Sequence, residues 1–299
     1  MADFSKIKTI SIEQRKNKVS IKDLVSPENS SLSITTDDFG ELSERIAEAC
    51  RKRKMVIMMM GAHVIKTGMS LLIIDLMKKN IIKHVAMNGA GPIHDFELAY
   101  LGETSEYVEK TIEDGTFGMI EETGSILNDA IIEGAENNEG MGCSIGKKII
   151  SLNLKFKECS IVYWAQKLGI PLTVHVAIGT DIIHQHPKCD GASIGKTSYN
   201  DFKIFAESVS NLEGGVAINA GSAVVLPEVF LKAVTISRNL GNKVEKITTA
   251  NFDMIDHYRP RQNVVVRPTS LGGKGFNIIG KHEDTIPSLH RMLTEKLEM

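Results

Sequence analysis

The sequence has no excess of either charge, few cysteines, no long apolar run and no internal repeat, and each shortage removes a class of protein. Its 35 lysines and arginines stand against 37 aspartates and glutamates for a net charge of -2, so no global positive field recruits nucleic acid. The cysteines at 50, 143, 159 and 189 form no CxxC pair. A chain of 299 residues buries a large core without disulfides, and a reducing compartment suits it. Met55 to Met60, the longest apolar stretch, is far too short to span a bilayer. The amino terminus MADFSKIKTISIEQRKNKVS mixes charge throughout and lacks the apolar segment of a secretory signal. The expected location is the cytoplasm, with neither membrane nor nucleic acid as partner.

What is present reads as strands alternating with helices. Thr36 or Asp37 can cap a helix running to Lys54, with Phe39, Leu42, Ile46 and Ala49 on one face. Met55 to Met60 reads as a buried strand, Gly61-Ala62-His63 as its turn and Met69 to Lys78 as the following helix. His84 to Met87 is a second strand, running into the glycine-rich loop Asn88-Gly89-Ala90-Gly91-Pro92, where backbone amides can approach a phosphate. His94, Asp95 and Glu97 follow that loop and are placed to point into a crevice. Thr104 to Ile112 and Thr123 to Glu133 read as helices. Further on, Gly191 to Asn200 reads as a turn-rich connector, Asp201 to Leu212 as a helix, and Gly215 to Asn219 as a strand. Val244 to Thr248 reads as another strand with a loop to Asp256 beyond it.

The densest run of reactive side chains is PLTVHVAIGTDIIHQHPKCD, Pro171 to Asp190. Leu172 to Ile178 reads as a buried parallel strand, and Asp181, His184, His186, Cys189 and Asp190 follow Gly179 directly. Loops beyond the carboxyl ends of such strands line the ligand crevice of an open α/β sheet. The expected fold is α/β, a Rossmann-like, doubly wound and mostly parallel sheet with helices on both faces. Residues 1–35 form an irregular amino-terminal extension and 36–299 a single domain. No GxGxxG fingerprint is present, so local sequence alone leaves a dinucleotide site open.

Five segments in order, IKTGMSLLIIDLMKKNIIKHVAMNGAG, IPLTVHVAIGTD, GGVAINAGSAVV, ITTANFDMID and HEDTIPSL, give the chain a resemblance to the deoxyhypusine synthase family. The resemblance implies a Rossmann-like fold, a homotetramer with active sites at subunit interfaces, NAD as cofactor, and transfer of an amine-derived group through an enzyme-lysine imine. By position it implies nucleotide contacts from Thr67 and Gly68 and from Asn88, Gly89, Ala90, Gly91 and Asp95. It adds Asp181, the glycine-loop residues Gly221, Ser222 and Ala223, then Thr249, Ala250 and Asp253, and finally Asp284 and Thr285. Lys274 in GGKG is the candidate imine-forming lysine, with His184, His186 and Asp256 on the substrate side. His186 stands where the family has a substrate-holding aspartate, and Pro227 where it has a catalytic histidine.

A lysine nucleophile needs a carbonyl or imine partner, and a hydride acceptor beside it makes an imine accessible from an amine. The leading expectation is therefore an NAD-dependent transferase acting on a polyamine or related amine, distinct from standard deoxyhypusine synthesis. Two alternatives stay open. One is a catalytically silent or regulatory ligand-binding homologue. The other is a metal-dependent hydrolase using His184, His186, Asp181 and Cys189, although no metal site is assigned.

Overall fold

The computed structural model describes residues 2–298 and contains eight strands. They are β1 (Asn17–Ser20), β2 (Val56–Met60), β3 (His84–Asn88), β4 (Glu103–Glu106), β5 (Leu172–His175), β6 (Val216–Ala220), β7 (Thr248–Asp253) and β8 (Lys274–Ile279). Six of them form one parallel sheet in the order β5-β3-β2-β6-β7-β8. The chain winds outward from β2 to one edge and returns to build the other half from β6. The strand order therefore reverses between β2 and β6, the position at which doubly wound sheets open a crevice. β1 and β4 form a separate antiparallel pair.

The central strands are buried from end to end, as strands with helices on both faces must be. Alternate side chains enter two cores: Met58, Met60, Val85 and Met87 pack on one face, and Ile57, Met59, Ala86 and Ala217 on the other. Helix Asp37–Arg51 begins as its sequence indicates, with the Thr36 side chain accepting the Phe39 N–H, and buries Phe39, Leu42 and Ile46. Three stretches differ from the sequence reading. Gly191 to Asn200 is the first half of helix Gly191–Ser210, because Asp190 caps it through the Ser193 N–H at 2.8 Å. Residues 103–106 are strand β4 rather than the start of a helix, because β1 supplies their pairing partner. β7 starts at Thr248, so residues expected in the loop beyond it lie in the sheet.

That shift is explained by a polar ladder. Asn219, Asn251 and Asn277 are in register on β6, β7 and β8. The Asn219 amide donates to Asn251 Oδ1 at 2.8 Å, and the Asn251 amide donates to Asn277 Oδ1 at 2.9 Å. The amide nitrogens of Asn219 and Asn251 are thereby paired inside a parallel sheet, while the neighbouring Thr249 hydroxyl has no partner.

The expected boundary at residue 36 is not a break in packing. Residues 2–35 run as short turns across the domain, Val25 donates its N–H to Gly68 O at 2.9 Å, and β1 docks on β4. A second tie is Asp201, whose carboxylate accepts the backbone N–H groups of Gly142 (3.0 Å) and Val174 (2.7 Å) and joins three elements. Burial outweighs these bonds and pushes its pKa up to about 7. A carboxyl group raised above its unfolded value stabilises the fold most below about pH 4, and that contribution is lost as pH rises through 7. Asp201→Asn should therefore cost stability at pH 4, and the gap to the wild type should narrow by on the order of 2 kcal/mol by pH 8. Urea titrations across that range measure it; a pH-independent gap rejects the assignment.

Candidate active site

At the carboxyl end of the sheet, beside the switch point, lies a cavity of about 390 Å³. Its walls come from the short helix after β2 (His63–Lys66), the helix after β3 (Ala90, Ile93, His94, Glu97) and the loop after β5 (Thr180, Asp181). Its roof is the amino-terminal segment with Arg15, Lys18 and Val19, together with Glu106 from β4. The volume is that of a small-molecule site.

Arg15 anchors the roof. Its guanidinium grips Glu97 with two parallel bonds of 2.8 and 2.7 Å, both side chains being buried. Glu97 also accepts the hydroxyls of Thr104 at 2.6 Å and Thr123 at 3.0 Å. The Thr104 proton is thus committed to Glu97, so the contact of 2.8 Å between Thr104 Oγ1 and His94 Nδ1 must be donated by the imidazole. His94 therefore carries its proton on Nδ1 and presents Nε2 as a lone pair. Burial keeps the ring neutral, lowering its pKa to about 4, with the Lys66 and Arg15 charges acting the same way against Glu97.

The opposite wall has the reverse arrangement. His184 Nδ1 accepts the N–H groups of Gly179 (3.1 Å) and Asp181 (3.2 Å), so its proton sits on Nε2, 3.7 Å from Asp181 Oδ2. The Asp181 side chain is 6% exposed, and its Oδ2 has no hydrogen-bond partner. Burial raises its pKa to about 6. Glu106 is similar: Oε1 accepts the Gly118 N–H at 3.0 Å and lies 4.0 Å from Arg15, Oε2 has no partner, and burial pushes the pKa up. Two buried carboxylates with unused oxygens therefore meet a neutral imidazole acceptor.

The residues expected from sequence divide into several groups. Asp181 is in the cavity wall and Ala90 beside it, with Asn88, Gly89 and Gly91 at the carboxyl end of β3. Gly89 is glycine because a Cβ there would stand 1.9 Å from Asp181 Oδ2. Gly221 and Ser222 follow β6; Gly221 has φ of +67°, faces the His282 ring and leaves Ala223 partly exposed. Asp253 ends β7, and Asp284 and Thr285 lie in the first turn of helix His282–Lys296. These positions follow the carboxyl edge of the sheet.

Other expectations are corrected. Lys274 opens β8 at the amino end of the sheet, the end away from the cavity; it is 47% exposed and stands 3.8 Å from Glu41. Asp95 is fully buried and turned into the core, where it accepts the N–H groups of Ile161 (2.7 Å) and Val162 (3.1 Å) and the Ser160 hydroxyl, capping helix Ile161–Leu168. Thr249 and Ala250 are buried in the first half of β7, not in the loop beyond. Gly68 approaches the backbone of Asp23 and not an open crevice, and Thr67 bonds back to His63 O and Val64 O. His186 packs on Gly124 and stands 3.4 Å from Glu121, outside the cavity wall. Asp256 pairs with Arg261 at 2.9 Å and accepts from Asn277. His184 and His186 thus face different surroundings, and among the described residues no three of His, Cys, Asp and Glu gather as a metal centre.

Several unpartnered polar atoms bear on a dinucleotide. Asn88 Oδ1, His282 Nδ1 and Thr285 Oγ1 are buried at the carboxyl edge without hydrogen-bond partners. Gly61 donates to Ala220 O at 2.9 Å and touches the Gly221 carbonyl, so bare backbone forms the switch point. Polar groups awaiting partners around a glycine-lined switch point fit NAD. Arg15, Lys66 and Glu106 were not singled out from sequence; the one signal was Glu97 itself, a charge between Phe96 and Leu98 that requires a buried partner without naming it.

The chain matches no family model and no curated protein. Among solved structures it is similar to AgrE in ternary complex with ornithine and NAD+, at 12% identity and a TM-score of 0.54 over 90% of this chain and 34% of that one. It is also similar to a conserved protein from Methanococcus maripaludis S2 assigned to the LOR/SDH group, at 16% identity and a TM-score of 0.53, covering 92% of this chain and 74% of that one. A protein from Entamoeba histolytica assigned as a deoxyhypusine synthase aligns over 97% of both chains, at 10% identity and a TM-score of 0.51. The chain spans about a third of the length of AgrE. At these identities the likeness is one of fold, and it agrees with the Rossmann-like sheet described above.

Gly89→Ala checks the site without disturbing the core. The new methyl group must displace the Asp181 carboxylate while the backbone stays. Thermal unfolding should change by less than about 1 kcal/mol in stability, while ligand affinity at the cavity falls at least tenfold by calorimetry. Unchanged affinity would remove Asp181 from the site.

Proposed function

We propose that this chain is an NAD-dependent enzyme acting on a small amine, which it oxidises at a carbon–nitrogen bond. The observation that carries the reading is the pair of buried carboxylates with unused oxygens, Asp181 and Glu106, beside the switch point of a Rossmann-like sheet. Support comes also from AgrE, solved with ornithine and NAD+, and from the resemblance to deoxyhypusine synthases.

The residues suit the reaction as follows. Asp181 and Glu106 accept hydrogen bonds from a substrate ammonium in a cavity that excludes most water. The ammonium loses its proton to Asp181, whose pKa burial raises to about 6, while His94 Nε2, held as a lone pair by the Thr104 and Glu97 bonds, accepts a hydrogen bond from the amine and orients it. The freed nitrogen lone pair then forms the C=N bond as the adjacent C–H bond breaks. NAD, when bound, supplies the acceptor for the departing hydride. Asn88, the backbone around Gly61 and Gly221, Asp253 and Thr285 would hold it. Group transfer through an imine at Lys274 is not retained, because that side chain belongs to the other end of the sheet.

Calorimetric titration with NAD+, followed by absorbance at 340 nm on adding amines, tests the proposal. Micromolar to millimolar binding and an amine-dependent rise are expected, with Asp181→Asn lowering the rate at least a hundredfold. No binding at millimolar NAD+ rejects the cofactor; binding without any absorbance change favours the silent ligand-binding alternative.

A further inference from the structure

The charges around the cavity specify more than an amine. Arg15 is consumed by Glu97, which it meets with two bonds, and Lys18 by Glu109 at 3.0 Å. Lys66 is different: it lines the cavity half-buried, and its ammonium forms no ion pair or hydrogen bond among the described residues. The lone-pair imidazole of His94 lines the same cavity. Glu106 and Asp181 line it too, with side chains only 5% and 6% exposed; each has an oxygen without a partner, and the other oxygen of Glu106 lies 4.0 Å from Arg15. The free complement of the cavity is thus one ammonium and two carboxylates.

A ligand that satisfies all three carries one negative and two positive groups. A polyamine has only positive charges; it would answer Glu106 and Asp181 but desolvate Lys66 next to a like charge, which costs affinity. A simple carboxylate leaves both acids unpaired. Resting on the reading of the cavity as the substrate site, we infer that the substrate is a diamino acid, its carboxylate held by Lys66 and its amino groups by Glu106 and Asp181. A cavity of about 390 Å³ has room for such a molecule beside the end of a cofactor. Lys66 is then a specificity-determining residue, because it is the group that tells an amino acid from the amine lacking only its carboxylate.

The test is calorimetry on the full chain, with and without 1 mM NAD+, using L-ornithine and L-lysine against putrescine, cadaverine and spermidine. At least one diamino acid should bind tenfold or more tightly than its own decarboxylated diamine. In Lys66→Met the preference should vanish, with diamine binding unchanged or tighter, and Lys66→Arg should restore it; unchanged circular dichroism confirms that each variant folds. The inference is overturned if a diamine or spermidine binds the wild type as tightly as the amino acids. It is equally overturned if the preference survives Lys66→Met, or if no amino acid binds in either condition. A preference seen without any NAD+ binding upholds the substrate class while removing the cofactor.

Discussion

One buried ion pair holds the site together. Arg15 precedes the first strand of the sheet by some forty residues, yet its guanidinium lies over the carboxyl edge of that sheet, gripped by Glu97. Breaking such a pair from one side leaves a charge without compensation in the interior, at a cost of about 3–5 kcal/mol. The pair is further enclosed by Thr104 and Thr123, so Glu97 has four donors, the saturation that a buried carboxylate requires. The roof over the cavity, the β1–β4 pair and the orientation of His94 all follow from it.

His94 in the cavity wall and His184 beside Asp181 show how hydrogen bonding decides chemical role where residue type does not. His94 donates through Nδ1 to a threonine hydroxyl whose proton is already committed, and is left as an acceptor. His184 receives two backbone N–H groups on the same atom and is left as a donor toward Asp181. One wall carries an imidazole acceptor and the other a carboxylate oxygen that has no hydrogen-bond partner.

The strand-helix alternation was legible because buried parallel strands such as VIMMM and helix faces such as Phe39, Leu42, Ile46 and Ala49 declare themselves by period. Asp181 was placed by the same reasoning: β5 ends at His175, short of the expected Ile178, and Asp181 lies in the loop beyond it, where the fold puts ligand-facing residues. The failures have physical causes. A buried polar strand such as TTANFD carries no apolar run, and its Asn251 side chain is paired with asparagines on the flanking strands that sequence does not show. Lys274 was misplaced because a glycine-flanked lysine looks the same at either end of a strand. Asp95 and Glu97, two residues apart on one helix, face a helix cap and the cavity respectively, a division that only packing reveals. Arg15 could not be read at all, because long-range ion pairs leave no local pattern.

The asparagine ladder across β6, β7 and β8 has a consequence for how this chain avoids alternative structures. Val and Ile pack acceptably against many partners, so an apolar parallel sheet can slide by two residues with little penalty. Three stacked amides cannot: displaced along the strand, each would face hydrocarbon with its donors and acceptor stranded. The ladder acts as a combination lock on the half of the sheet that forms last in the chain, and it penalises exchange of β7 or β8 between copies unless the donated strand carries an amide at the same height.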